Sequence, residues 1–238
     1  MRFSHGLIAG VWALIVQAVP IGQAQAQTSP VVVELYSSQG CPVCPPADEL
    51  LADLSQRDDV IALALHVDYW DYMGWQDSFA QHAFTERQKT YAHGWGRNSI
   101  YTPQMVIGGT FAIEGFRGMK IMSEIMRQRD TPGIVVVQLE QRSGDTLAVR
   151  AESSVPLGNE ADVQLVRYRP RIEVSISGGE NAGREAVYHN VVTSWRIIAK
   201  WDGRAPLALE VEAPGPEEAV VIVQQGGQGS ILASARQR

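Results

Sequence analysis

Four residues carry the most pointed chemistry in the chain: Cys41-Pro42-Val43-Cys44, within 31-VVVELYSSQGCPVCPPADELLADL-54. No other cysteine is present in the sequence. Two thiols at this spacing can close a plain disulfide, clip a soft metal ion, or cycle between dithiol and disulfide. The local pattern favours the last. An apolar strand leads in, and Ala47, Leu50, Leu51 and Leu54 follow at i, i+3, i+4 and i+7, one face of a helix. Cys41 is then expected at the N-terminal end of that helix, where unpaired amides and the helix dipole favour negative charge. A thiolate is the nucleophile of disulfide exchange, and a lowered pKa makes it available. Cys44 is expected about one helical turn inside, within reach to resolve a mixed disulfide. Pro42, Pro45 and Pro46 fit a helix's first turn, where a fixed φ and a missing amide hydrogen do no harm. A purely structural bond between near neighbours would constrain the unfolded chain little.

Compartment decides what two cysteines can mean. Arg2 gives a positive start, Leu7 to Val19 is a short apolar run, and Ala24-Gln25-Ala26 is a small-x-small cleavage site. Residues 1–26 therefore read as a secretory signal peptide. The apolar run is about 13 residues, short of the ~20 needed to span a membrane. The expected mature chain begins near Gln27, is soluble without a membrane span, and works in a bacterial periplasm or outside the cell, where disulfides persist. Losing Arg2 leaves 19 Lys and Arg against 26 Asp and Glu, a net charge of −7. An acidic chain without a basic stripe is a poor nucleic-acid binder.

Elements alternate up to about residue 130. Val31 to Tyr36 and Val60 to Val67 read as buried strands, and Phe79 to Tyr91 as a helix. Met105 to Ile107 and Thr110 to Ile113 flank Gly108-Gly109, a two-residue hairpin turn. Met119 to Arg129 closes the unit as a helix. Beyond Thr131-Pro132-Gly133 only short strands are expected: Ile134 to Leu139, Thr146 to Ala151, Val163 to Tyr168, Arg171 to Ile176, Tyr188 to Ala199, Leu207 to Val211, Val220 to Val223 and Ser230 to Ala235. Gly178 to Gly183 reads as a hairpin tip. The expectation is an α/β domain over 27–130 followed by an all-β, sandwich-like domain over 131–238.

Cys-x-x-Cys at a strand-to-helix junction inside a β-α-β pattern reads as a thioredoxin-like redox motif. Tyr101-Thr102-Pro103-Gln104 stands just before a strand entering a hairpin, the place where that fold sets a cis-proline opposite its cysteines. A cis X-Pro bond is only about 0.5–1 kcal/mol above trans. Cys41 is thus assigned the attack and Cys44 the resolution, with Thr102 and Pro103 presenting backbone to a substrate and Tyr101 and Gln104 beside it.

An insert spans about 68–96. It begins at the C-terminal end of a central strand, the edge where open α/β sheets bind ligands. Its many aromatic rings form either a wall over the cysteines or a local core. Trp70 and Trp75, flanking Gly74, are the two expected to be exposed and to touch substrate. Glu34 is a weak proton-relay candidate and is expected at an edge or facing solvent. His66 ends a buried strand; with Cys41 and Cys44 it forms the alternative set for copper, since thiolate and imidazole suit copper(I) or zinc. Asn181, Arg184, Tyr188 and His189 form a polar cluster near the later hairpin, with no catalytic order.

The segments ELYSSQGCPVCPPAD, ALHVDYWDYMGW, TERQKTYA, YTPQMVIGG and GENAGREAVYHNVV together resemble secreted bacterial proteins of the domain of unknown function 1223, within the thioredoxin superfamily. The resemblance covers nearly all of the expected mature chain and implies a thioredoxin-like domain followed by a β-rich one. Leu35 stands where thioredoxin has its buried aspartate, and no tryptophan precedes the first cysteine. The reading is a thiol-disulfide oxidoreductase with no cofactor beyond its own disulfide. Its partners would be a protein or small-thiol disulfide and a redox partner. A copper chaperone and a redox-inert peptide-binding module are the alternatives.

Overall fold

A computed structural model describes residues 29–237. The expected signal peptide lies outside them. Strand β1 (Val31–Ser37) is buried along its whole length. Its near-continuous apolar run suits a central strand covered on both faces. It pairs in parallel with β2 (Val60–His66) and antiparallel with β3 (Gln104–Ile107). β3 turns through Gly108 and Gly109, at φ 57° and 72°, into β4 (Phe111–Glu114). Both positive φ values suit the Gly-Gly pair and the twist of a tight hairpin.

Alternation along β1 sends its side chains to two cores. Val33 and Leu35 join Ala47, Leu51 and Leu54 of α1 (Pro45–Ser55) and Ile121 and Ile125 of α3 (Gly118–Arg129). Val32 and Tyr36 join Phe84 and Tyr91 of α2 (His82–Gly94) on the other face. Helix α2 starts later than the expected Phe79, because Asp77 and Phe79 are held in the preceding loop by hydrogen bonds to one another and to Gln39.

The later strands are β5 (Val135–Gln141), β6 (Thr146–Ser153), β7 (Ala161–Ile176), β8 (Arg184–Trp201), β9 (Leu207–Glu212), β10 (Glu218–Gln225) and β11 (Ile231–Arg236). They do not make a separate sandwich domain after residue 131. One sheet of eight strands runs β11-β10-β7-β8-β2-β1-β3-β4, so the later half extends the first half's sheet. The junction is a parallel pairing of Ala64 with Val191. A second sheet, β5-β6-β9, packs on the extension through Val137, Val149, Val163, Leu165, Trp201 and Val221. A sandwich-like layer is thus present, but on a shared sheet.

Two segments expected as separate strands, on either side of Pro170, form one strand of 16 residues. Proline gives no ladder hydrogen bond and is tolerated in sheets at irregularities. Asn190 lies across from it, at φ 48° between the paired Val191 and His189, and its amide donates to the Ala62 carbonyl of β2. The irregularity therefore falls where β8 joins β2. Beyond it, the β7–β8 hairpin runs on to its tip at residues 177–183, back towards the cysteines.

Candidate functional site

Cys41 and Cys44 are bonded (S–S 2.19 Å, Cα–Cα 5.4 Å). Neither is helical in the way expected. Pro45 and Pro46 occupy the first helical positions, where their missing amide hydrogens do no harm, so α1 begins after the motif. Cys44 is the N-cap and Cys41 precedes it in a turn, with the Cys44 amide donating to the Cys41 carbonyl. Both cysteines have zero solvent exposure, whereas Val43 between them is 55% exposed.

Three segments enclose the motif. The first is the turn before β3: the Thr102–Pro103 bond is cis. A side chain at Gly115 would meet Ala47 Cβ at 2.8 Å and Pro103 Cβ at 3.1 Å, so Pro103 packs beside the first turns of α1. The second is the insert. Trp70 and Trp75 are half-buried rather than exposed, because each indole N–H is engaged. Trp70 Nε1 donates to Thr102 Oγ1 (2.7 Å), and its Cβ lies against Gly40, so it bridges the residues preceding Pro103 and Cys41. Trp75 Nε1 donates to Gln39 Oε1 (2.7 Å). The exposed ring of this loop is Tyr72, at 80%.

The third is the tip of the β7–β8 hairpin. Asn181 is buried, and its Nδ2 donates to the carbonyls of both Gln39 (2.8 Å) and Cys41 (2.9 Å). Gly179, at φ 70°, lies against Trp75, where a Cβ would come within 3.0 Å of the Trp75 Cβ. Glycine alone meets both demands without strain. Asn181, itself bonded by Arg184, is thus the member of the hairpin's polar cluster that clamps the loop before Cys41.

Beneath the motif sits a buried polar group that sequence reading did not assemble. His66 Nδ1 is 2.7 Å from Asp77 Oδ2, and both side chains are fully buried. Burial opposes charge on the His66 ring, but the Asp77 carboxylate, helped by Asp48, overrides it and raises the His66 pKa. Burial likewise opposes charge on Asp77, but His66 and the amides of Gln39 and Phe79 hold its pKa below the usual carboxylate value. Among the described residues, His66 Nε2 has no hydrogen-bond partner. Its ring stands edge-on to Phe79 and Tyr188. Asp48, on α1, accepts a hydrogen bond from Ser37 Oγ (2.8 Å). Burial pushes its pKa up to about 7, against the opposing pull of His66 and Ser37. The sequence signal was available: Asp48 stands four residues after Cys44, on the same helix face.

Other expected residues are placed differently. Gln104 is buried and accepts from Gln88 Nε2 (3.0 Å), which also donates to the Tyr101 carbonyl (2.8 Å). The Gln104 side-chain oxygen is engaged inside the protein; Tyr101 is half-buried. Glu34 is neither at an edge nor in solvent. It is fully buried and pairs with Arg87 through both oxygens (2.7 and 2.9 Å) while accepting from Tyr36 and Tyr91. Alternation puts it on the face opposite Leu35, away from α1. Among the described residues, no group of three His, Cys, Asp or Glu is placed to hold a metal ion, and none of the helices is long and apolar enough to cross a membrane.

Fold and site define a mixed α/β protein in which a buried two-cysteine loop follows a central strand of a large, mostly β sheet and caps the next helix. Residues 32–224 match the family described as Protein of unknown function (DUF1223), and the chain belongs to that family. It is similar to the X-ray crystal structure of a protein from Agrobacterium tumefaciens, at 29% identity and a TM-score of 0.74, over 87% of this chain and 92% of that one. None of the curated proteins compared with it matches.

Proposed function

We propose that this protein is a thiol-disulfide oxidoreductase of thioredoxin-like architecture that works after export, in the periplasm or outside the cell. The observation that carries the reading is the Cys41–Cys44 bond at the start of α1, beside the cis Thr102–Pro103 turn. Support for the architecture comes from the order β2-β1-β3-β4 with one parallel and two antiparallel pairings. In the forward direction the Cys41 thiolate attacks a substrate disulfide, forming a mixed disulfide and releasing one substrate thiolate. Cys44 then attacks Cys41 Sγ, closing the internal disulfide and releasing the second. Two electrons pass from protein to substrate, and the leaving thiolates take up protons; the reverse run oxidises a dithiol.

The sealed site sets a condition on this chemistry. With both cysteines at zero exposure, a substrate reaches Cys41 only after a local opening, for which the Trp70–Thr102 and Asn181–Cys41 hydrogen bonds are the contacts proposed to give way. The same burial favours a second reading: an inert bond that staples the capping loops. Trapping separates the two. Under the redox reading, Cys44→Ser accumulates mixed disulfides through Cys41 in the periplasm, seen on non-reducing gels, while Cys41→Ser does not. Equal behaviour of the two variants contradicts the redox reading and supports the staple.

A further inference from the structure

The redox reading leaves one proton unassigned. Cys44 must lose its thiol proton before it can attack, yet it is fully buried, and burial among apolar groups disfavours a thiolate. The resemblance to thioredoxin gives no acceptor, because Leu35 fills the position in question and packs in the apolar core. Glu34 is committed to Arg87 on the other face. The geometry points to a different source.

We propose that Asp48 takes the proton from Cys44 when Cys44 attacks the mixed disulfide, and returns it when the disulfide is opened in the reverse direction. This rests on the redox reading above. Three observations support it. The Asp48 amide donates to the Cys44 carbonyl, so the two residues are one α-helical turn apart and their side chains share a face. Residues one turn apart stand about 5–6 Å from one another at Cβ, a span that one water can bridge for a proton. The Asp48 carboxyl is fixed by Ser37 from the neighbouring strand. It also lines a cleft of about 270 Å³ between α1 and β8, bounded by Pro45, Glu49, Asn181, Arg184 and Tyr188, which gives the proton a way out.

The step balances simply. Asp48 carboxylate and Cys44 thiol become Asp48 acid and Cys44 thiolate. The thiolate's electron pair forms the bond to Cys41 Sγ, the bond from Cys41 to the substrate sulfur breaks, and the substrate leaves as a thiolate. Asp48 then loses its proton to water in the cleft. The charged and titratable groups facing Asp48 are His66 from β2, Asp77 from the insert, Glu49 on its own helix, and Arg184, Glu185 and Tyr188 from β8. His66 favours the ionised form, while Asp77 and Glu49 oppose it. With its pKa raised to about 7, Asp48 is mostly a base above neutrality and mostly an acid below it. Resolution by Cys44 should therefore speed up as pH rises through neutrality, and proton return to Cys44 should slow.

The test is single-turnover mixing of the reduced full-length protein with oxidised glutathione, acid-quenched and read by mass spectrometry. In the wild type the Cys41–glutathione adduct should stay scarce above pH 7. In Asp48→Asn the adduct should form at the wild-type rate but resolve about 100-fold more slowly, as loss of a positioned base requires. The deficit should shrink only well above pH ~8.5, the ordinary thiol value, because burial makes unaided ionisation harder. Ser37→Ala removes a hydrogen bond that holds the Asp48 pKa down, so the pH midpoint of resolution should move upward. This variant keeps the test open if Asp48→Asn folds poorly. Resolution at the wild-type rate in Asp48→Asn, or an unmoved midpoint in Ser37→Ala, overturns the role of Asp48 alone. A wild type that forms neither adduct nor internal disulfide overturns the redox reading, and Asp48's role with it.

Discussion

The sheet around β1 carries charged groups on both of its faces, and the two sites are built on opposite principles. On the α2 face, Glu34 is saturated: Arg87 binds both its oxygens, two tyrosines donate to it, and Gln224 bonds Arg87 and Tyr91 in turn. Arg87 also stacks over Trp195, 3.8 Å from the ring centroid. One acid meets one base; burial and the Glu34 charge hold both tyrosines far above their usual pKa, and, against the opposing pull of burial, the Glu34 charge raises Arg87. On the α1 face, Asp77 pairs with the His66 imidazole while Asp48 acts on it through charge alone, His66 Nε2 has no partner among the described residues, and Asp48 borders an open cleft. A closed network resists titration and serves the fold. An unbalanced one beside a cleft changes protonation near neutral pH, as proton chemistry needs.

Breaking the saturated network should give the largest effect on stability. Arg87→Ala leaves the Glu34 carboxylate buried and unpaired, a loss of about 3–5 kcal/mol. Urea denaturation measures it, and thiol exchange by the folded fraction should stay near wild type. A loss under ~1 kcal/mol would show that the network is less complete than its hydrogen bonds indicate.

The clamp over the cysteines comes next. Asn181→Ala strands the buried Gln39 carbonyl and leaves the Cys41 carbonyl with the Cys44 amide alone, a cost of about 1–3 kcal/mol. The same change should speed reduction of the Cys41–Cys44 bond by dithiothreitol, because the hairpin tip no longer holds the loop. An unchanged reduction rate would mean that access runs wholly past Trp70. Trp70→Phe keeps the ring but deletes one hydrogen bond to Thr102, for a smaller loss of about 1 kcal/mol. It should also speed reduction, and the two variants compared on one gel rank the two caps.

These features differ in how far the sequence disclosed them. The two-cysteine motif, the strand before it and the hairpin at Gly108-Gly109 are local, and periodicity and turn chemistry located them. Glu34 was misplaced because a lone carboxylate in an apolar run gives no sign of a partner on another element; Arg87 is 53 positions away. Trp70 and Trp75 were expected outside because Gly74 marks a turn, yet the bonds that hold their N–H groups come from distant loops. The shared sheet was hidden for the same reason. Pro170 broke the strand pattern, and nothing local shows that Asn190 accommodates it while β8 pairs with β2.

The smallest expected effect is on pH dependence of stability. His66 and Asp48 both have raised folded-state pKa values. A group raised on folding holds its proton better in the native state, so stability falls as pH rises through the window between unfolded and folded values. For Asp48 that window runs from 3.8 to about 7, and for His66 it begins at 6.5. Melting temperature should therefore decline from pH 5 to pH 8. Asp48→Asn should flatten part of that decline and melt above the wild type at pH 8. A wild-type melting temperature that rises over this range would contradict both assignments.

The central claim, that the α1 face holds a working redox pair, is tested most directly by the equilibrium reduction potential of the Cys41–Cys44 bond. It is read against glutathione or dithiothreitol buffers by the mass of alkylated protein. A working pair should fall between about −270 and −120 mV, the range spanned by pairs that exchange electrons on this scaffold. A potential below about −300 mV, where structural disulfides lie, would contradict the account and leave the bond as a staple.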